Sequence, residues 1–271
     1  MTSRDSHFTL DGFGPIVATA IHDGHAVRPS LLTIMNVTEA QRLRDEDPYT
    51  GRLTVVGDAQ LVVQTSRFEA DMNRRRAKAV YLTPDDAWGL RVWRERPPDD
   101  ELERSYALHD AFYDAMGTFL DRLERVYGAF VVLDLHSYNH MPDGPDGEPA
   151  DPAGNPVVIV GTGNTDGTRW RPLIDRFIRD LGAFDTGGEP LDVRENVKFT
   201  GGDFTRWVRD RFPTSSCCLA VEFKKTFMDE WTGELDEARL KLLRSALASA
   251  IPGLREELAG RSGVATNRQA G

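Results

Sequence analysis

The stretch LHDAFYDAMGTFLDRLERVYGAFVVLDLH, residues 108–136, joins an amphipathic segment to an apolar one without a break. Leu108, Phe112, Ala115, Phe119, Leu123 and Val126 recur at spacings of three and four. That is the period of one helix face, so a helix is expected over residues 102–127. Gly128 stands just past it, where helices commonly end. Residues 129–135 (AFVVLDL) then form a nearly unbroken apolar run up to His136. A strand apolar on both sides belongs in a sheet covered on both faces.

Working outward, residues 15–21 (PIVATAI) read as a second buried strand, ending at His22, and residues 61–64 (LVVQ) as a third. Pro84 and Asp85 open a segment containing Trp88, Leu90 and Trp93. Downstream, eight prolines and glycines between residues 141 and 156 mark a surface loop long enough for a lid or substrate-site loop. Residues 157–160 and 218–223 read as strands, and 170–181, 235–250 and 254–258 as helices. A disordered tail is expected over about residues 260–271. With no internal repeat and no linker, the expectation is a single α/β domain over residues 1–271, with a core of about residues 8–258. The sheet is expected to be mixed and mostly parallel, with helices on both faces. His22, His136 and Glu222 fall at or near strand ends, the side on which open α/β sheets bind ligands.

Composition narrows the function classes. The 271 residues are 40% hydrophobic and 28% charged, with a formal net charge of −10. Phosphate backbones and anionic membranes are repelled on average, so neither nucleic acid nor membrane is expected as a partner. No run of 18 apolar residues occurs, and the first eleven residues contain no apolar core of signal-peptide length. Cys217 and Cys218, the two cysteines, are adjacent, which suits neither a stapling disulfide nor a thiolate zinc site. Their scarcity fits a reducing compartment, and a cytoplasmic location is expected.

The chemistry-bearing residues fall in four places. Four of the six histidines lie in His22-Asp23-Gly24-His25 and in the segment 134–140, which holds His136 and His140. A catalytic zinc site usually takes three protein ligands plus water, and His22, His25 and His136 are candidates to converge on one ion. Asp134 is placed to orient His136. The competing reading makes them hydrogen-bonded core or loop histidines. In residues 67–76, which include Arg67, Asn73 and Arg74, an amide lies beside the planar donor fork of an arginine. That pairing suits bidentate capture of a carboxylate, although such charge runs are commonly solvated surface. Glu222 interrupts the apolar run 219–223, where a buried carboxylate needs a partner or a task. The task would be general base; the partner would be Lys224 or Lys225.

Seven segments together resemble the N-formylglutamate amidohydrolase family, which looks related to the zinc carboxypeptidases. They are residues 20–24 (AIHDG), 46–50 (EDPYT), 66–74 (SRFEADMNR), 132–137 (VLDLHS), 196–202 (NVKFTGG), 220–225 (AVEFKK) and 228–230 (MDE). They keep the family's order and lie within roughly residues 15–235. The resemblance implies a zinc carboxypeptidase/phosphorylase-hydrolase-like fold and one Zn²⁺ per chain. It also implies hydrolysis of an amide or formamide bond by metal-activated water. His22 and His136 match the family's metal histidines, Asn73 and Arg74 the pair that holds a substrate carboxylate, and Glu222 the base. Related carboxypeptidases place a glutamate where this chain has His25, and formylglutamate enzymes have an acidic residue near Asp47. The third ligand is therefore His25, the preferred choice, or else Asp47 or Glu46. The stretch around Trp88 and Trp93 and the pair Asn139-His140 differ from those enzymes. The substrate implied is a small carboxylate-bearing molecule such as an N-formyl or N-acyl amino acid. The alternatives are a metallopeptidase acting on a peptide terminus or γ-glutamyl link, and a metal-binding relative without turnover.

Overall fold

The structure, a computed structural model, describes residues 3–4 and 7–266. Its strands are β1 (Ser3–Arg4), β2 (Phe8–Gly12), β3 (Ile16–Ala20), β4 (Ala59–Val63), β5 (Phe130–Tyr138), β6 (Val158–Gly161), β7 (Val193–Glu195) and β8 (Ser216–Lys224). Its helices are α1 (Pro29–Leu32), α2 (Glu39–Asp45), α3 (Asp99–Tyr127), α4 (Gly167–Gly182), α5 (Asp203–Arg211) and α6 (Glu237–Thr266). The strands form one sheet in the order β1-β2-β4-β3-β5-β8-β6-β7. The central neighbours β4, β3, β5 and β8 are mutually parallel, as are β6 and β7. Antiparallel pairing joins β1 to β2, β2 to β4 and β6 to β8. The sheet is thus mixed and mostly parallel, as expected.

Strand alternation divides the core into two layers. Val131, Leu133 and Leu135 of β5 pack with Trp170, Ile174 and Phe177 of α4 and Leu243, Leu247 and Leu254 of α6. Phe130 and Val132 pack on the other face with Phe112, Phe119 and Leu123 of α3 and Phe204 and Val208 of α5. Helices cover both faces, so the apolar run in β5 is accounted for. A third, smaller cluster gathers Leu31, Phe68, Tyr81, Val92 and Trp93 beneath the segments that lead from β3 to α3.

Several expectations change at their edges. Strand β5 does not stop at His136 but continues to Tyr138, placing His136 inside the strand. Helix α3 opens earlier, at Asp99, with Asp99, Asp100 and Glu101 in the first turn, where the helix dipole favours negative charge. Val126, expected on its buried face, is 58% exposed; Met116 and Leu120 are buried instead. The two helices expected over 235–250 and 254–258 are one, α6, which runs through Pro252 to Thr266. Leu247, Ala250, Leu254 and Leu258 hold one buried stripe across the proline, and that packing outweighs its lost hydrogen bond. At Gly253 an added Cβ would fall 2.3 Å from Asp180 Oδ2, so the glycine lets α6 lie close on α4. The expected tail over about 260–271 is therefore helical as far as Thr266, and the remainder lies outside the described residues. Strands β2 and β7 and helix α5 have short or polar sequences and were not anticipated.

Candidate metal centre and active site

Strand β3 ends at Ala20 and delivers His22 just beyond the carboxyl edge of the sheet. Parallel to it, β5 presents Asp134 and His136 on the α3 side, and β8 presents Glu222 in register with His136. Asp47 comes from the turn after α2, where its N–H donates to the His22 carbonyl at 2.9 Å. Thr50 Oγ1 donates to the Asp47 carbonyl at 2.7 Å, and Tyr49 between them takes a left-handed conformation, φ 70°. Lys225 fixes the same turn from β8's end: its buried ammonium donates to the carbonyls of Arg44 and Glu46 at 2.5 and 2.8 Å. A cation on the last carbonyls of a helix also complements its dipole.

His22, Asp47 and His136 are buried, with one potential ligand atom from each within 4.8 Å of the others. His22 Nδ1 and His136 Nδ1 lie 3.3 and 2.9 Å from Asp47 Oδ2. Behind each ring stands a further carboxylate: His22 Nε2 is 2.7 Å from Asp71 Oδ1, and His136 Nε2 is 2.9 Å from Asp134 Oδ2. Asp134 is itself held by the Thr19 hydroxyl at 2.8 Å.

A neutral imidazole that donates through Nε2 has only a lone pair at Nδ1. Two such lone pairs and a carboxylate oxygen would then face one another, and a positive charge between them, either a bound cation or a proton shared with Asp47, balances the three. His22 Nδ1 is moreover a buried nitrogen without a hydrogen-bond partner. Burial opposes the charge on Asp47, but the adjacent imidazoles outweigh it and hold the carboxyl well below the usual range. Burial likewise opposes protonation of His136, and Asp134 overrides it. Two nitrogens and one carboxylate oxygen, with both rings oriented from behind, fit a divalent ion such as zinc.

His25 does not join this group. Gly24 lies against the Gln64 peptide, where a Cβ would fall 2.2 Å from the Gln64 carbonyl carbon. Ala26 then bridges to Thr65, so the chain runs on past the end of β4 rather than turning back. His25 is carried to α2: its Nδ1 lies 2.5 Å from Glu46 Oε2, and its carbonyl accepts from Arg42 at 3.0 Å. Glu46 faces His25, Arg42 and the Ser66 hydroxyl. Of the three candidates for the third position, the structure brings Asp47 to the histidines and places the preferred His25, with Glu46, outside the group.

The group opens into a cavity of about 610 Å³, also lined by Arg44, Arg67, Asn73, Arg74, Trp88 and Glu222. Burial pushes the Glu222 carboxyl up to about 7, against the lowering effect of His136. Neither following lysine forms the alternative ion pair. Lys224 donates to the Asn155 carbonyl at 2.6 Å, and Lys225 holds the α2 turn. Asn73 has a commitment of its own: its Oδ1 accepts from the Phe204 N–H at 3.0 Å and so caps α5. Gly202 is needed at that contact, since a Cβ there would lie 2.2 Å from Asn73 Oδ1. Arg67 is engaged by Tyr81 Oη, the Asp45 carbonyl and Asp71 Oδ2 at 3.0, 3.1 and 3.0 Å. Arg74 reaches Asp71 only at 3.7 Å.

Asp71 is the residue that sequence reasoning missed. Burial works against its charge, but Arg67, His22 and the Tyr81 hydroxyl hold it well below the usual carboxylate range. Its only signal was an acid among the arginines of 67–76, a segment that also contains Glu69. Glu230 was likewise unassigned. It accepts from the N–H groups of His140 and Met141 at 2.6 and 3.1 Å and pairs with Arg44 at 3.0 Å, fixing the start of the 141–156 loop. No residue of 141–156 itself lines the cavity, but Asn155 at its end accepts from the lining residue Lys198 at 3.2 Å.

A sequence profile described as N-formylglutamate amidohydrolase matches residues 14–228, more than half of the chain. The chain belongs to the N-formylglutamate amidohydrolase family. It is accordingly a hydrolase of the amidohydrolase type, and a small-molecule substrate follows from the family. Among solved structures, an N-formylglutamate amidohydrolase from Ralstonia eutropha JMP134 is similar at 19% identity and a TM-score of 0.72, covering 96% of this chain and 100% of that one. A gene product of Agrobacterium tumefaciens is similar at 16% identity and a TM-score of 0.61, over 92% and 96% of the two chains. A metallo-carboxypeptidase from Pseudomonas aeruginosa follows at 16% identity and a TM-score of 0.37, over 93% of this chain and 61% of that one. Among curated proteins none matches in sequence. Within the amidohydrolase family's fold, no helix of the described residues is long and apolar enough to cross a membrane.

Proposed function

We propose that this amidohydrolase cleaves the amide or formamide bond of an N-formyl or N-acyl amino acid, using one zinc ion held by His22 Nδ1, Asp47 and His136 Nδ1. The observation that supports this best is the convergence of three buried ligand atoms in a cavity that Glu222 also lines. An ion at that position supplies Lewis-acid polarisation of the scissile carbonyl and lowers the pKa of water. Glu222, across from His136, accepts the proton of the attacking water and returns it to the leaving nitrogen. Asp71 and Asp134 keep the two imidazoles in the tautomer that leaves Nδ1 unprotonated. Arg74, whose contact with Asp71 is a loose 3.7 Å, takes the substrate carboxylate, with the Asn73 amide N–H₂ beside it. Arg67 is a positioning residue, since its donors are already engaged with Asp71, Tyr81 and Asp45. A cavity of about 610 Å³ is of small-molecule size.

The test is zinc quantification in the purified protein and in a His22→Ala/His136→Ala variant, followed by a hydrolysis screen. The expected result is about one ion per chain, lost in the variant, with turnover of N-formyl or N-acyl amino acids. Unchanged metal content in the variant overturns the site. Turnover of dipeptides alone would replace the amidohydrolase reading with a peptidase one.

A further inference from the structure

Trp88 lines the cavity that holds the His22–Asp47–His136 group, yet it is 56% exposed. Its backbone is left-handed, φ 52° and ψ 30°. For a bulky side chain that region is an outlier, sustained only where the surroundings impose it. The surroundings are polar. Trp88 closes the 3₁₀ turn Pro84–Ala87, and its N–H and that of Gly89 both donate to the Pro84 carbonyl. The Arg67 guanidinium carbon lies 4.8 Å from the ring centroid, and Tyr81 meets it edge-on at 5.8 Å. These are the same two groups that hold Asp71. Trp93, from the same stretch, behaves as a core residue should: it is buried, and its indole N–H donates to the Tyr81 carbonyl at 2.8 Å. Packing accounts for the whole of Trp93, whereas the contacts of Trp88 leave more than half of its surface open.

We propose that Trp88 is a specificity-determining residue that packs against the apolar or aromatic side chain of the N-acyl amino acid whose carboxylate sits at Arg74. The proposal rests on the hydrolytic reading above and names its substrate class. Arg74 approaches Asp71 at 3.7 Å, and Trp88 stands on the Arg67–Tyr81 pair that grips the same carboxylate. Carboxylate anchor and indole line the same cavity. In this proposal a substrate held at Arg74 turns its α-substituent toward the ring. The indole offers a hydrocarbon or aromatic side chain a contact area that the hydrogen of a glycine derivative cannot use.

The experiment compares N-formyl-L-phenylalanine, N-formyl-L-leucine, N-formyl-L-glutamate and N-formylglycine on the zinc-loaded wild type, Trp88→Phe and Trp88→Ala. In the wild type, kcat/KM for phenylalanine and leucine should exceed that for glycine by about ten-fold or more. Trp88→Phe should keep most of that ratio. Trp88→Ala should bring it to within about two-fold of unity, through KM, at equal zinc content. An unchanged ratio in Trp88→Ala, or a wild type that prefers the glutamate compound, overturns the proposal. If the wild type hydrolyses none of the four, the hydrolytic reading fails. Calorimetric binding of the phenylalanine and glycine compounds then decides on Trp88: a preference lost in Trp88→Ala upholds its role, and equal affinities, or no binding, overturn it.

Discussion

An imidazole is a ligand only through the nitrogen that its own surroundings leave bare, and in the proposed centre Asp71 and Asp134 would make that choice for His22 and His136. Asp47 then closes the set, and a direct prediction follows. Asp47→Asn should weaken zinc binding by at least about 100-fold, because loss of an outer partner alone costs roughly 10–100-fold. His25→Ala should stay within about three-fold of the wild type, since that ring lies against Glu46. Competition with a chelator measures both, and the opposite ranking would restore His25 to the ligand set. Glu222→Gln should retain zinc and melting temperature while kcat falls by roughly 10²–10⁴-fold. A lower melting temperature with normal turnover would make Glu222 a structural acid instead. His22, His136 and Glu222 could be picked out of the sequence because each is polar within or just past an apolar run. Asp47 and Asp71 could not be separated from Glu46 and Glu69 in that way. Which neighbouring carboxylate faces inward depends on the left-handed turn at Tyr49 and on the fit of residues 66–74 beneath Trp88.

Elements with a dense apolar signal were legible: β3, β5, β8, α3 and α4 lie where periodicity and apolar runs place them. Helix α5 was not, because only Phe204, Thr205 and Val208 of its nine residues are buried, and its start is fixed from outside by Asn73. Strand β7 has three half-buried residues and no pattern of its own. Helix α6 erred the other way, since Pro252 reads as a stop that tertiary packing overrides. Pro252→Ala should therefore stabilise the protein, by about 1–3 kcal/mol, through restoring a helix-interior N–H and removing the ring clash. Thermal melting should rise by roughly 2–8 °C. A fall would mean that α6 depends on a bend at that position for its fit against α4.

Across the whole molecule, segments far apart in sequence are tied at Glu230, which joins the chain after β5, helix α2 and the segment following β8. Burial raises its pKa, but the His140 side chain, the N–H groups of His140 and Met141 and the Arg44 guanidinium outweigh this and hold it below its ordinary 4.5. A depressed carboxyl contributes stability above the unfolded value and loses it as pH falls through the folded one. Glu230→Gln should accordingly cost about 2–3 kcal/mol at neutral pH, or roughly 4–10 °C of melting temperature. The gap to the wild type should close as the pH falls through and below 4.5. A gap that does not vary with pH would assign the loss to packing. The two cysteines bring a different consequence at this scale. Cys217 lies in the layer with α4 and α6, Cys218 in the layer with α3 and α5, and burial pushes both thiols up. Alkylation of either one requires its layer to open, so single Cys217→Ala and Cys218→Ala variants turn iodoacetamide into two separate clocks. Matching labelling rates would show that the sheet sheds both coverings in one cooperative event, and unequal rates would show which covering peels away first.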